Sequence, residues 1–165
     1  MSVVTTRAEL LKIIEEAADI HCHPANLISA IVQVESAFDP SAIRYEPTFY
    51  ARYVLGGLFK PIYPCSQETE THARAMSWGL MQVMGQVARE RGFKGTFLSE
   101  LCDPVVGLHC GCKHLTYLRS RYEDSHGMEG VVAAYNAGSP RKNHTGQFVN
   151  QVYVEKIREA GGFKS

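Results

Sequence analysis

One carboxyl group stands out in this sequence because it lies on an otherwise apolar helical face. The spacing of apolar residues from Leu27 onward predicts a helix that is ended by Asp39-Pro40. Three aliphatic residues share the face of Glu35 on this helix: Ile28, Ile31 and Val32. Loss of hydration there raises the pKa of a carboxyl group, and a protonated carboxyl group near neutral pH can act as a general acid. The alternative is a solvated Glu35, or one paired with Arg44.

A second segment, Ser77-Trp78-Gly79-Leu80-Met81-Gln82, combines small, apolar and amide side chains. Gly79 permits a close backbone approach, and the flexible thioether of Met81 offers adaptable apolar surface. Gln82 carries both a donor and an acceptor, which suits an amide-bearing ligand.

A third segment, residues 44–53, is rich in aromatic and charged residues and includes a second acid, Glu46. Aromatic rings beside polar groups suit a sugar, because its apolar faces stack while its hydroxyls form hydrogen bonds. The alternative is a surface insertion that is packed by its own Phe and Tyr residues. Glu46 is interpreted as a base, a water-positioning group or the ion-pair partner of Arg44 or Arg52.

The elements that must position these residues are predicted to be helices. A capping box at Thr6 and Glu9 opens the first helix, and Pro24 is expected at the first position of the second. Asp103-Pro104 opens a long core helix to about Tyr122, in which Gly111 predicts close approach of a neighbouring helix. Further helices are predicted over Gln86–Arg91, Glu129–Ala137 and about Gln147–Ala160, the last with Val149, Val152, Tyr153 and Ile157 on or near its apolar side.

Composition restricts the class of protein. At 165 residues and zero formal net charge, the chain fits one soluble globular domain and lacks the basic face that nucleic acid requires. No apolar run is long enough to span a membrane, and residues 1–7 do not resemble a secretory signal. The five cysteines are expected to be reduced and mostly buried. A metal site from His109, Cys110, Cys112 and His114 is disfavoured, because Cys110 and Cys112 lie about 200° apart on a helix.

Taken in order, three motifs form a specific combination: Glu35-Ser36, Ser77-x-Gly79-Leu80-Met81-Gln82 and Ala133-Ala134-Tyr135-Asn136-Ala137-Gly138. Together they resemble the lytic transglycosylases related to goose-type lysozyme. Further matches are Phe38-x-Pro40-x-Ala42, Asp103-Pro104 before Gly111, Leu115-x-x-Leu118 and Tyr153-Val154, so that the resemblance covers roughly Ala25 to Ile157. One departure is the separation of more than thirty residues between the first two motifs. That insertion is similar to one in phage-type muramidases.

The resemblance implies a mostly α, lysozyme-like fold of the α+β lysozyme superfamily, with a catalytic cleft. The whole chain, 1–165, is then a single domain with an irregular insertion at about 44–76. The implied reaction cleaves the β-1,4 bond between N-acetylmuramic acid and N-acetylglucosamine in peptidoglycan and yields a 1,6-anhydro product, without cofactor or metal. Glu35 matches the catalytic acid, which then acts as the base, and Tyr135 matches the tyrosine that hydrogen-bonds it. Substrate-binding roles are implied or predicted for Ser36, Glu46, Ser77, Gly79, Met81, Gln82 and Asn136.

Several alternatives remain open from the sequence. Tyr135 can instead be a core tyrosine bonded to a backbone carbonyl, and Asn136 a helix C-cap. The enzyme can be a hydrolytic muramidase in which Glu46 handles water, or the chain can be a non-catalytic wall-binding or virion structural module. The expected partner is the peptidoglycan glycan strand, bound by a monomer without membrane insertion. The protein is expected to be made in the cytoplasm and to reach the cell wall or periplasm after phage-type delivery, through a holin or a virion, as an endolysin would.

Overall fold

The computed structural model describes residues 6–164. Residues 1–5, which carry most of the segment inspected for a secretory signal, lie outside the described part. The helices are α1 Arg7–Ile20, α2 Ala25–Ser36, α3 Pro47–Phe49, α4 Gln67–Arg74, α5 Gly85–Glu90, α6 Pro104–Ala137 and α7 Gln151–Glu159, with a π-helix at Tyr50–Val54 and a 3₁₀-helix at Leu98–Cys102. The strands β1 Ile43–Tyr45, β2 Met76–Trp78 and β3 Val83–Met84 form one antiparallel sheet in that order. The predicted mostly α class is therefore correct.

The first two helices follow the local signals. The capping box forms, with the Glu9 backbone donating to the Thr6 hydroxyl and the Glu9 carboxylate accepting from the Thr6 backbone. Pro24 is the residue before α2 rather than its first position. Helix α2 ends at Ser36, ahead of Asp39-Pro40, because Ala37 and Phe38 both adopt positive φ.

Helix α6 contains two of the predicted helices, the long core helix that opens at Asp103-Pro104 and the helix over Glu129–Ala137, joined directly. The Asp103 carboxylate accepts from the backbone N–H groups of Val105 and Val106, which starts the helix. Its regular geometry is interrupted at Gly127, with φ 66°. The expected neighbour of Gly111 was wrong: a Cβ there would overlap the Met81 side chain from the β2–β3 turn, and not another helix.

Helix α7 begins at Gln151, four residues later than predicted. The preceding residues form a turn in which Lys142 bridges Phe148, and the Asn143 side chain accepts from the backbone of Thr145 and Gln147. The expected apolar face is also partly wrong, because Val149 and Val152 are 52% and 72% exposed. The other two predicted residues, Tyr153 and Ile157, are buried as expected, and Val154 is buried beside them.

The predicted irregular insertion, 44–76, is more ordered than expected, since it contributes most of β1, helices α3 and α4 and the π-helix. Its own aromatic rings do pack on each other, as the Phe49 and Tyr53 centroids are 4.8 Å apart. Glu70, 1% exposed, joins α4 to α5 through Arg74 on its own helix and Arg89 on the next. The insertion is thus fixed to the core by a buried ion-pair cluster.

Among the described residues, no helix has both the length and the apolar character needed to cross a membrane. All five cysteines lie within residues 6–164 and none forms a disulfide. Three of them, Cys65, Cys110 and Cys112, are buried, whereas Cys22 is exposed.

Candidate active site

A cleft of about 730 Å³ opens beside the C-terminal end of α2. The insertion, the sheet with α5, and helix α6 each contribute to its walls. Residues from the insertion and sheet include Arg44, Glu46, Thr48, Phe49, Arg52, Tyr53, Ser77 and Gln82, and those from α6 include His114, Tyr117, Arg121, Tyr122, Tyr135 and Asn136. Glu35 lines the same cleft.

Glu35 is a desolvated acid, as the sequence predicts. Burial raises the pKa of its carboxyl group, while a hydrogen bond from Tyr153 and the positive charge of Arg44 lower it by less. The Tyr153 hydroxyl donates to Glu35 Oε1 over 2.6 Å. No ion pair involves Glu35 within residues 6–164; Arg44 pairs with Glu46 instead. The alternative of an ordinary paired or solvated surface Glu therefore does not describe this residue.

The tyrosine that contacts the acid is not the expected one. The Tyr135 hydroxyl donates to the backbone carbonyl of Met81 over 2.7 Å, so the predicted hydrogen bond from Tyr135 to Glu35 is absent. Tyr135 nevertheless lines the same cleft as Glu35. Burial first, and then the charge of Glu35, raise its pKa well above the ordinary value. The same two causes raise the pKa of Tyr153, so both phenols are neutral donors.

The side chains of the second motif, residues 77–82, mostly contact other parts of the protein and leave few groups free for a ligand. Met81 is fully buried and packs on Gly111, so its expected place in a sugar subsite is wrong. Gln82 accepts from the Ser77 hydroxyl at 2.7 Å and donates to the carbonyls of Ala42 and Gly79. The amide of Gln82 therefore holds the turn together, although it borders the cleft.

Two smaller residues of the predicted site, Ser36 and Gly79, also contact backbone groups of the protein. The Ser36 hydroxyl donates to the carbonyls of Val32 and Leu80, which fastens the end of α2 to the β2–β3 turn. Gly79 has φ 67° and lies against the carbonyl of Leu101, where a Cβ would clash. Ser36 thus places the end of α2, which carries the acid, whereas Gly79 packs the β2–β3 turn on the 3₁₀-helix, and neither residue lines the cleft.

Glu46 and Asn136 lie where a ligand can reach them. The Arg44 guanidinium contacts Glu46 over 2.5 Å, and both side chains line the cleft. Asn136 is exposed, lines the cleft and accepts from the Asn150 side chain at 2.9 Å. The residue that ends α6 is Gly138 in a left-handed conformation, so Asn136 is not its C-cap.

The candidate metal ligands are dispersed. Burial raises the pKa of Cys110 to about 11 and that of Cys112 to about 12, which keeps both thiols protonated. His109 is hydrogen-bonded to His21 at 2.9 Å, whereas His114 lies at the cleft. No group of three such side chains within residues 6–164 is arranged to hold a metal ion.

Sequence reasoning missed the role of Tyr153 and of His114. Tyr153 was expected only on the apolar side of the last helix and as part of a Tyr-Val match, and 118 residues separate it from Glu35, so no local pattern links the two. Burial and the charge of Arg91 lower the pKa of His114 to about 4, and its ring lies 5.4 Å from that of Tyr135. Nothing in the sequence around His114 indicated that its ring would contact Tyr135.

Comparison with known families agrees with the resemblance found in the motifs. The model of the transglycosylase SLT domain matches residues 12–156 of the chain. No curated protein matches it. Because the matched segment spans most of the sequence, the resemblance, the lysozyme-like fold and the enzyme class predicted from the sequence are all confirmed, and the non-catalytic alternative loses its support. The chain belongs to the transglycosylase SLT domain family and is a peptidoglycan lytic transglycosylase.

Proposed function

We propose that Glu35 serves as both the general acid and the general base of the reaction, and that the product carries a 1,6-anhydro ring. The observation that supports this most is the environment of Glu35 in the cleft, where burial raises the pKa of its carboxyl group. A group that must give and then take a proton works best with a pKa near the working pH. An ordinary exposed glutamate, ionised at that pH, would be a poor acid.

In the first step the protonated carboxyl of Glu35 gives its proton to the glycosidic oxygen, and the bond from that oxygen to C1 of N-acetylmuramic acid breaks. In the second step the C6 hydroxyl of the same sugar attacks C1, and the Glu35 carboxylate takes the hydroxyl proton. No water is consumed, so one carboxyl group suffices where most glycosidases use two. Oε1 accepts from Tyr153, which leaves Oε2 for the substrate.

Tyr153 is proposed as a positioning residue. A hydrogen bond to an ionised carboxylate favours the charged form, which opposes the effect of burial on the Glu35 pKa. It also holds Oε1 at a defined point on the cleft wall, because Tyr153 itself is 9% exposed and fixed within α7.

Tyr153→Phe is therefore expected to lower kcat/KM about tenfold, the effect of losing one hydrogen bond to a charged group. It also raises the Glu35 pKa further. Because the acid step requires protonated Glu35, the alkaline limb of the kcat/KM profile shifts to higher pH. The measurement is a pH–rate profile on purified peptidoglycan.

Tyr135→Phe is the matched comparison, since it removes the same hydroxyl from a tyrosine that bonds the Met81 carbonyl. It leaves the alkaline limb in place and costs about 1–3 kcal/mol of unfolding free energy, because a buried acceptor loses its donor. A limb that moves with Tyr135→Phe and not with Tyr153→Phe would reverse the assignment of the two tyrosines.

The hydrolytic alternative is favoured by one observation, the position of Glu46 on the wall of the same cleft. Its ion pair partner Arg44 is largely exposed and the Glu46 side chain is itself 34% exposed, so water can reach Glu46. In that reaction water, and not the C6 hydroxyl, attacks C1, and Glu46 orients it.

Mass spectrometry of released muropeptides separates the two reactions. The proposed reaction gives fragments lighter than hydrolytic ones by the mass of one water, and Glu46→Gln keeps that product. Reducing-end fragments from the wild type that disappear with Glu46→Gln would instead identify a muramidase.

Action at the cell wall is proposed from the substrate alone, because peptidoglycan lies outside the cytoplasmic membrane. Delivery by a phage holin or virion stays a prediction. It is tested by following the full chain in fractions of an infected host, where export of a cleaved precursor before lysis would contradict it.

A further inference from the structure

Three arginines in the cleft form no ion pair with any residue in the range 6–164: Arg52, Arg91 and Arg121. Two of them lie on the α6 side and share one aromatic ring. The guanidinium carbon of Arg91 is 3.5 Å from the centroid of Tyr117, and that of Arg121 is 5.6 Å from the same centroid. The Arg121 guanidinium also lies 5.8 Å from the ring of Tyr122.

This arginine–tyrosine cluster, defined as Arg91, Tyr117 and Arg121, is connected by direct contacts to Tyr135, which lines the same cleft as Glu35. Arg91 Nε donates to His114 Nδ1 at 3.4 Å, and the His114 ring lies parallel to that of Tyr117 at 6.4 Å. On its other side His114 contacts Tyr135. Glu35 and Tyr135 line the same cleft as Arg91 and Arg121, so the cluster and the acid face one cavity.

A guanidinium stacked on a ring keeps its edge N–H groups available, and that edge matches a carboxylate in a bidentate arrangement. His114 does not compete for a ligand anion, because its lowered pKa keeps it neutral. Two positive charges that form no ion pair with residues 6–164 therefore favour an acidic ligand at this end of the cleft.

The substrate carries such groups close to the scissile bond. The muramic acid residue of peptidoglycan bears a short peptide on its lactyl group, and that peptide has free carboxylates. Stripped of its peptide, the same sugar exposes the lactyl carboxylate instead. Both sources offer the shared chemistry of a carboxylate, and they differ in its distance from the sugar ring.

We propose that the arginine–tyrosine cluster binds carboxylates of the peptide stem, so that this enzyme cleaves peptide-bearing strands in preference to stripped glycan. This inference rests on the proposed function, in which Glu35 is at the scissile bond. It assigns the α6 side of the cleft to substrate selection and leaves the chemistry to Glu35.

The test compares kcat/KM on three substrates: peptide-bearing strands, strands stripped by an amidase, and peptide-bearing strands whose carboxylates have been converted to amides. For the wild type, peptide-bearing strands are preferred. In the double variant Arg91→Gln/Arg121→Gln the ratio of peptide-bearing to stripped rates falls about tenfold, the effect of losing charge-assisted hydrogen bonds. Amidation lowers the wild-type rate similarly and adds no further loss in the double variant.

If the double variant folds poorly, Arg121→Gln alone is used for the test. Arg121 is exposed on α6, whereas Arg91 also contacts His114, so the single substitution disturbs fewer contacts. The single variant gives a smaller fall in the same ratio. Arg141→Gln is the matched control, an exposed arginine away from the cleft, and keeps the wild-type ratio.

Three outcomes overturn the inference. A ratio that stays within about twofold of wild type excludes a role in peptide selection, given the tenfold effect expected of such contacts. An equal loss on peptide-bearing and stripped strands assigns the arginines to the glycan, and a larger loss on stripped strands assigns them to the lactyl carboxylate. In each case, anhydro products measured in the same reactions leave the proposed function standing, whereas their absence from the wild type would remove that proposal instead.

Discussion

Glu35→Gln is expected to lower kcat/KM for release of anhydro-muropeptides by about 10³–10⁴-fold, the upper part of the range for general acid–base catalysis. The loss is large because the proposed reaction uses the one carboxyl group twice, first as the acid and then as the base. The measurement is single-turnover release from purified peptidoglycan, followed by mass spectrometry. Glu16→Gln, an exposed glutamate on α1, is the control and keeps the wild-type rate.

The fold of this variant is checked by thermal unfolding. Glutamine keeps the size of Glu35 and accepts from Tyr153, so the local contacts are preserved. Since burial raises the Glu35 pKa, the native state binds more protons than the unfolded state, and wild-type stability falls as pH rises from the ordinary value through the raised one. The variant lacks this loss and is at least as stable as wild type at neutral pH. Residual anhydro product at the wild-type rate would exclude Glu35 as the acid.

Glu70→Gln is expected to destabilise the enzyme by about 3–5 kcal/mol, which is the cost of breaking a buried ion pair by removing one partner. Glu70 contacts Arg74 over 2.9 Å and Arg89 over 2.8 Å, the latter with both carboxylate oxygens engaged. Its removal leaves two largely buried guanidinium groups without a counter-ion. The measurement is the unfolding free energy from urea denaturation.

The pH dependence of this cluster supplies a second readout. Burial alone would raise the Glu70 pKa, but the hydrogen bonds and charges of Arg89 and Arg74 outweigh it and lower the pKa. The stability it contributes is therefore present above the ordinary carboxyl pKa and is lost as pH falls through the lowered one. Glu68→Gln, an exposed change on the same helix, has little effect at any pH. Equal stabilities of the Glu70 and Glu68 variants would show that the cluster does not anchor the insertion.

Local signals in the sequence were sufficient for the starts of α1 and α6 and for the apolar face of α2 around the acid. The capping box at Thr6, the Asp103-Pro104 start and the apolar face around Glu35 each act within a few residues, so their effect is readable from the chain. The ends of the helices were predicted less accurately. Helix α7 begins late because the turn before it is held by Asn143, a side-chain contact that helical periodicity does not report.

The contents of the cleft were only partly predictable. Gly79, Met81 and Gln82 were all expected at the substrate, but the turn between β2 and β3 directs Met81 inward onto Gly111 and engages the amide of Gln82 with the backbone. A polar or flexible side chain fits a ligand and a tight turn equally well. The sequence therefore identified the segment and not the direction of its side chains.

By itself, the sequence determined the family, the mostly helical fold and the apolar surroundings of Glu35, because motif order and helical periodicity are properties of neighbouring residues. Only the tertiary structure decided which tyrosine contacts the acid and which cleft arginines have no counter-ion in the described part of the chain. Tyr153 reaches Glu35 because α7 packs against α2, and Arg91 meets Tyr117 because α5 packs against α6. Such contacts depend on how distant elements pack together, which no local pattern specifies.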